Sequence, residues 1–208
     1  MPHFLIERKL MRRGKLPVAG VDEAGRGPLA GPVFAAAVIL DPDLKIEGLD
    51  DSKKLSPSKR EALCYIIKRH SLSWAVSKVS EKRIDRINIL NASLLAMKKA
   101  LAALSVKPGY ALVDGNRTIP GLDIGQLCVV KGDAISVSIA AASILAKVER
   151  DRQMKRLHDR FPDYGFDVHK GYGTSAHMKA IKKHGPCACH RMTFEPVRSC
   201  RLQRTVVK

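Results

Sequence analysis

Two apolar segments joined by a glycine- and proline-rich loop constrain the fold more than any other feature of this chain. Residues 18–22 and 33–40 predict β-strands, and the second is apolar enough to be buried on both faces of a sheet. The loop between them begins with the sequence Asp22-Glu23-Ala24-Gly25-Arg26-Gly27-Pro28. Two carboxylates are therefore expected at the end of a buried strand, with a glycine-containing turn directly after them.

The residues of this loop indicate chemistry on phosphate groups. Asp22 and Glu23 offer the hard oxygen ligands that Mg²⁺ and Mn²⁺ prefer. The glycines on either side of Arg26 expose backbone N–H groups, and its guanidinium is suited to phosphate. Metal ligands beside a loop that can bind phosphate predict phosphodiester chemistry.

The rest of the chain predicts strands mixed with helices. Ser56 and Pro57 begin a helix that runs to His70, Ser80 caps a helical region that reaches about Leu104, and Thr174 caps a last helix that ends at Gly185. Further strands are predicted at residues 72–79, 110–114 and 127–130, and a long helix at about 134–161. The charged second half of that helix is expected to project into solvent. The class is α/β or α+β with a mixed central sheet.

Four acids lie beside glycine or at predicted element ends: Asp22, Glu23, Asp114 and Asp133. Four carboxylates could supply the shared oxygens of a two-metal centre. Asp133 also suits a helix cap. Neighbours in a regular strand face opposite sides of the sheet, so we expect the strand to twist or break at Glu23.

The net charge of +17, from 37 Lys and Arg against 20 acids, favours a polyanionic partner such as nucleic acid. The longest apolar run, residues 33–40, is too short to cross a bilayer, so no membrane partner is expected. Five cysteines suggest a reduced set and hence the cytoplasm. No nucleotide-binding phosphate loop is present, so no nucleotide cofactor is expected.

Nearly the whole chain resembles the ribonuclease HII family, also called type 2 ribonuclease H. Seven segments in the expected order carry the resemblance. They begin at Val21, Asp51, Val113, Lys131, Ala141, His169 and Gly185 and read VDEAGRGP, DSKKL, VDGN, KGD, AASILAKVERD, HKGYGT and GPC.

The resemblance implies an α/β ribonuclease H-like fold, with a mixed five-stranded sheet flanked by helices and a C-terminal helical extension. It implies endonucleolytic hydrolysis of RNA in RNA–DNA hybrids. It also implies incision 5′ of a single ribonucleotide in duplex DNA, leaving 3′-hydroxyl and 5′-phosphate ends. The four acids would be both catalytic residues and ligands of Mn²⁺ or Mg²⁺, with two ions once substrate is bound.

The family pattern also implies substrate-binding residues. Gly25, Arg26 and Gly27 would contact the 2′-hydroxyl and the adjacent phosphate, and Tyr172 would pack on the following deoxyribose. Phosphate contacts are expected from Lys53, Lys147 and Lys170. We divide the chain into a loosely attached basic arm (residues 1–15), a catalytic core (16–166) and a basic substrate-covering region (167–208) of the same domain. A monomer is expected.

Other interpretations were weighed on the same residues. The sequence from Cys187 to His190 invites a zinc site, but it lacks a second matching ligand pair, so a structural turn is favoured. A non-catalytic basic module would explain the charge, yet it leaves the four acids without a use. Another metal nuclease of the same superfold is disfavoured by the adjacent Asp22 and Glu23 before the glycine turn.

Overall fold

The computed structural model describes residues 2–43 and 46–200. Its centre is a five-stranded sheet formed by β1 (Val18–Ala24), β2 (Val33–Ile39), β3 (Ser73–Val79), β4 (Tyr110–Asp114) and β5 (Gly125–Val129). The strand order is β3-β2-β1-β4-β5. β2 pairs antiparallel with β1 and β3, whereas β4 pairs parallel with β1 and β5. The predicted mixed sheet of the ribonuclease H-like fold is confirmed.

Helices cover both faces of this sheet. α1 is Leu5–Met11, α2 is Pro57–His70, α3 is Glu81–Ala102, α4 is Val137–Arg160, α5 is Phe166–His169 and α6 is Ser175–His184. One apolar cluster joins α3 to the sheet, and a second joins α2 and the first half of α4 to it. In the described part of the chain no helix is long and apolar enough to cross a membrane.

The helix starts follow from their caps. Ser56, Ser80 and Thr174 each accept a hydrogen bond from the backbone N–H three residues later, as the sequence predicts. α4 begins later than expected because Ser136 caps it, whereas Asp133 lies in a separate 3-10 turn, Gly132–Ala134. The idea that Asp133 caps the long helix is therefore wrong.

α4 packs closely on the sheet because small residues meet there. A Cβ on Gly20 would lie 2.2 Å from the backbone of Ser138, so only glycine permits this approach of helix to strand. The second half of α4 also packs inward, which corrects the expectation that it projects into solvent. Met154 and Leu157 join a third apolar cluster with Phe166, Ile181 and other residues of the C-terminal segment. These two apolar residues, three apart in the sequence, stand among charged neighbours that concealed the buried face.

Residues 2–15 are attached more firmly than predicted. α1 buries Glu7 and Leu10. The Glu7 carboxylate accepts hydrogen bonds from the Ser136 hydroxyl at 2.6 Å and the Ser138 N–H at 3.1 Å. A buried acid needs such partners, and these come from residues far away in sequence. Of the predicted covering region 167–208, residues 201–208 lie outside the described part.

Candidate active site

Adjacent parallel strands bring two of the four acids together. β1 and β4 pair up to Val21 and Val113, so Asp22 and Asp114 follow at the same edge of the sheet. Asp114 Oδ1 accepts the N–H of Gly132 at 2.7 Å, which ties the turn that carries Asp133 to the end of β4. Parallel strand ends are a common place for a rigid scaffold to present functional groups.

The predicted twist or break at Glu23 does not take the form of a break, because β1 continues to Ala24 and pairs with β2 from Gly20 to Ala24. Its pairing with β4 stops at Val21, however, so the edge beyond that residue is open. Asp22 and Glu23 both line a crevice that lies at this edge of the sheet. Both side chains therefore reach the crevice where β1 has lost β4 as a neighbour, and not because β1 is broken.

The crevice has a volume of about 440 Å³. Nine of the predicted site residues line it: Asp22, Glu23, Gly25, Arg26, Gly27, Lys53, Asp114, Lys147 and Tyr172. Asp133 and Lys170 are not among the lining residues. Lys147 is held by Asp151, whose Oδ1 lies 2.7 Å from its Nζ, and the Lys170 ammonium donates to the carbonyl of Asp167.

Burial and mutual repulsion dominate the electrostatics of these acids. Asp22 is 5 % exposed, and burial, followed by the charges of Glu23 and Asp114, raises its pKa well above the usual range. Burial also raises the pKa of Glu23, although Arg26 opposes it from 3.2 Å. The pKa of Asp133 is raised by burial and then by Asp114. Within residues 2–43 and 46–200, no basic side chain pairs with Asp22, Asp114 or Asp133 within 4.0 Å.

The donor set suits a hard divalent cation, since it consists of carboxylate oxygens and only Glu23 among the four acids has a basic partner within the described residues. Among the described residues, though, no three of the four carboxylates have oxygens within 4.8 Å of one another; only Cys187, Cys189 and His190 form such a group. Binding of one ion by three of these acids would therefore require their side chains to move closer against their mutual repulsion.

The turn Gly25-Arg26-Gly27, called the glycine loop from here on, lies beside the acids. A buried arginine that sequence patterns did not indicate holds it in place. Arg191 is 0 % exposed, and its guanidinium donates to the carbonyls of Gly25 at 2.6 Å, Arg26 at 2.8 Å and Gly31 at 3.0 Å. Burial lowers its pKa to about 9, so it stays charged at neutral pH. Gly25 has φ +97°, and a Cβ there would lie 2.0 Å from Arg150 Nε, so both conformation and space require glycine.

Tyr172 projects from the loop before α6 with 47 % of its surface exposed. A Cβ on Gly27 would lie 3.7 Å from its ring, and the Arg150 guanidinium carbon lies 5.9 Å from the ring centroid. The ring therefore lies next to Gly27.

Histidines hold the backbone on both sides of that tyrosine. His177 Nδ1 lies 2.9 Å from the carbonyl of Tyr172, and His169 Nδ1 accepts the N–H of Gly171 at 3.2 Å. Burial lowers the pKa of His177 to about 4, so it is neutral at physiological pH. Its Nε2 lies 3.0 Å from His190 Nε2. The side chain of His177 is fully buried.

Several residues of the crevice carried no separate signal in the sequence. The Ser143 hydroxyl lowers the pKa of Asp22 through a hydrogen bond and lies 3.0 Å from the Ser52 hydroxyl. Arg60 and Arg150 also line the crevice. Ser52 lies between Asp51 and Lys53 in the DSKKL segment of the family resemblance, so that motif could have indicated Ser52. Arg150 likewise lies in the segment that begins at Ala141, whereas Arg60 lies in none of the seven segments and had no such signal.

Comparison with known proteins identifies the relatives of this chain. The profile described as Ribonuclease HII matches residues 19–197. A protein named Ribonuclease HII from Burkholderia lata is 59 % identical over 182 residues, which cover 88 % of this chain and 85 % of that protein.

Solved structures agree with this similarity. The ribonuclease H2 crystal structure from Pyrococcus horikoshii OT3 aligns with a TM-score of 0.75 and 30 % identity, covering 89 % of this chain and 97 % of that one. A ribonuclease HIII described as Bst-RNase HIII in complex with Mn²⁺ shares the fold at a TM-score of 0.70 and 20 % identity, covering 98 % of this chain and 74 % of that one.

Proposed function

The chain belongs to the ribonuclease HII family and is a ribonuclease H endonuclease, and from this premise we propose its detailed reaction. It hydrolyses the RNA strand of RNA–DNA hybrids and incises 5′ of a single ribonucleotide embedded in duplex DNA. The products carry 3′-hydroxyl and 5′-phosphate ends. The observation that supports this proposal best is the crevice shared by Asp22, Glu23 and Asp114 with the glycine loop and Tyr172.

Asp22, Glu23, Asp114 and Asp133 would hold Mn²⁺ or Mg²⁺, with two ions present once substrate is bound. Such ions supply a water of lowered pKa and neutralise charge on the leaving oxygen. Repulsion within the crevice disfavours the fully ionised acids, and it opposes their approach to one another. A phosphate that arrives with its cations would relieve that repulsion, so we expect metal and nucleic acid to bind cooperatively.

The glycine loop would identify ribose by its 2′-hydroxyl, the feature that distinguishes RNA from DNA. Arg191 already bonds the carbonyls of Gly25 and Arg26, so the loop is fixed before substrate arrives. Backbone groups contact a 2′-hydroxyl without reading a base, and cleavage is then independent of sequence. Arg26, whose side chain is half-exposed, can reach the adjacent phosphate.

Tyr172 would pack on the deoxyribose that follows the ribonucleotide, and a 2′-hydroxyl at that sugar would collide with the ring. This explains a preference for an RNA-to-DNA junction. Lys53 and Lys147 line the crevice and suit phosphate contacts there. For Lys170 the same role requires its ammonium to leave the carbonyl of Asp167.

The test is Mn²⁺-dependent nicking of an end-labelled duplex with one ribonucleotide, using an all-DNA duplex as the negative control. We expect the chain and the exposed control Asp123→Asn to nick 5′ of the ribonucleotide, and Asp114→Asn to bind the duplex without nicking it. Ligase should reseal the nick directly, because that requires 3′-hydroxyl and 5′-phosphate ends. Nicking on the 3′ side, or ends that ligase rejects, would contradict the proposal.

The junction role of Tyr172 has its own test. Tyr172→Ala should lose more activity on the single-ribonucleotide duplex than on a long RNA–DNA hybrid, because only the first depends on recognising a following deoxyribose. Equal losses on both substrates would show that the ring does not read the junction.

A further inference from the structure

A second group of potential metal ligands lies in the turn after α6, away from the four acids. Cys187 Sγ is 3.3 Å from Cys189 Sγ and 3.1 Å from His190 Nδ1. These three ligand atoms all lie within 4.8 Å of one another. In the part of the chain that the structure describes, they are the one group of three or more such residues that converges this closely.

The turn that carries these ligands is rigid. The His190 N–H donates to the carbonyl of Cys187 at 3.0 Å, and the Gly31 N–H donates to that of Cys189 at 2.8 Å. Cys189 is 3 % exposed and His190 is 1 % exposed, while Cys187 is half-buried. A site built from four consecutive residues and anchored to the core needs little ordering when it binds.

The imidazole is held in the form that ligation requires. The Cys187 N–H donates to His190 Nδ1 at 2.9 Å, so that nitrogen carries no proton. His190 Nε2–H then donates to His177 Nε2, and His177 Nδ1–H donates to the carbonyl of Tyr172. A histidine that ligates a metal commonly donates its other ring N–H to such a partner. An ion at Nδ1 would have to displace the Cys187 N–H from it.

From this geometry we propose that Cys187, Cys189 and His190 form a binding site for one thiophilic d¹⁰ cation, Zn²⁺ or Cu⁺. Two sulfur donors and one imidazole suit these soft ions and not Mg²⁺ or Mn²⁺. Three protein ligands fit trigonal Cu⁺, or Zn²⁺ with a water as its fourth ligand. Ligation replaces the thiol protons, which are released to solvent. The Sγ atoms need to separate by only a few tenths of an ångström, since two Zn–S bonds of about 2.3 Å at a tetrahedral angle span roughly 3.8 Å.

This site is independent of the acidic crevice and of the proposed nuclease mechanism. Its ligands are soft where those of the crevice are hard, and none of them lines the crevice. The two thiols are not joined by a disulfide, since their Sγ atoms lie 3.3 Å apart and the bond is about 2.05 Å long.

The experiment uses the full chain without an affinity tag, reduced, stripped with a chelator and handled without oxygen. Zn²⁺ and Cu⁺ are titrated separately against a chromophoric chelator, and bound metal and reactive thiols are counted. We expect about one ion of one of these metals per chain and protection of two thiols, with no competition from Mn²⁺. The relative affinities in the two titrations identify which ion the site prefers.

Matched variants locate the ion. Cys187→Ser and Cys189→Ser should each weaken binding by roughly 100-fold or more, since each removes a direct ligand. Cys128→Ser on β5 and Asp114→Asn in the crevice should bind as the unaltered chain does. Sulfur neighbours in the X-ray absorption spectrum of the bound metal provide a readout that does not depend on how well any variant folds. Failure to retain either ion, unaltered affinity in Cys187→Ser, or a metal without sulfur neighbours would overturn the proposal.

Discussion

The acidic crevice and the cysteine–histidine turn are both buried groups of titratable side chains, yet they are built in opposite ways. The crevice assembles acids from residues 22 to 133, and burial with mutual repulsion raises the pKa of Asp22. The turn draws its ligands from residues 187–190, and hydrogen bonds satisfy His190 on both ring nitrogens. The crevice therefore stores electrostatic repulsion that cations can relieve, whereas the turn is already stable without them.

The largest effect should come from removing one charge from the crevice. We expect Asp22→Asn to reduce nicking by roughly 100-fold or more, because it removes a proposed metal ligand. In the presence of chelator at neutral pH, Asp22→Asn should have a higher free energy of unfolding than the unaltered chain. The substitution removes a buried charge that Glu23 and Asp114 repel. Nicking rates and denaturant unfolding of the same preparations check both statements. A destabilised Asp22→Asn would show that the acid is structural.

The next largest effect should come from Arg191, which links the two regions. It follows His190 directly in the chain and holds the glycine loop through three carbonyl oxygens. Arg191→Met should lower the free energy of unfolding by about 3 kcal/mol, because buried acceptors lose their donor. Arg198→Met is the matched control, since Arg198 pairs with Glu195 at the exposed surface. Similar unfolding curves for the two variants would contradict the anchoring role.

The pH dependence of stability should have opposite signs in the two regions. The pKa of His177 is about 4 in the folded protein and near 6.5 in the unfolded chain, so its contribution to stability is complete above 6.5 and is lost as pH falls towards 4. The raised pKa of Asp22 acts the other way: its contribution is present below its unfolded pKa, near 3.8, and is lost as pH rises through the folded value.

The contributions of His177 and Asp22 to stability can be separated by measuring unfolding in the presence of chelator across pH 4–7. The stability gain from Asp22→Asn should be greatest near neutral pH and should shrink as the pH is lowered, because the unaltered Asp22 then becomes protonated. A gain that is constant with pH would mean that charge repulsion at Asp22 is not its cause.

The smallest effect should come from the lysines at the rim of the crevice. Lys53→Ala should reduce the slope of the logarithm of duplex affinity against the logarithm of salt by about one unit, as expected for one lost phosphate contact. Lys107→Ala, on the loop before β4, is the control and should leave that slope unchanged. Equal slopes for all three proteins would remove Lys53 from the proposed interface.

Local patterns predicted most of the fold. The apolar run at residues 33–40 and the caps Ser56, Ser80 and Thr174 depend on neighbours in the sequence, and the structure confirms them. The burial of Glu7 and Arg191 could not be predicted, because their hydrogen-bond partners lie more than a hundred residues away. The ligand geometry of Cys187 and Cys189 was likewise missed, because the spacing alone does not show that a tight turn brings both sulfurs to the side of His190.

The most direct test of the account is the unfolding temperature as Mn²⁺ is added to the chelator-treated protein and to the double variant Asp22→Asn/Asp114→Asn. A ligand that binds only the folded state raises this temperature with concentration. We predict that the unaltered chain starts lower and rises steadily with Mn²⁺, while the double variant starts higher and stays level. Equal rises in the two proteins would show that the acids at the edge of the sheet do not hold the metal.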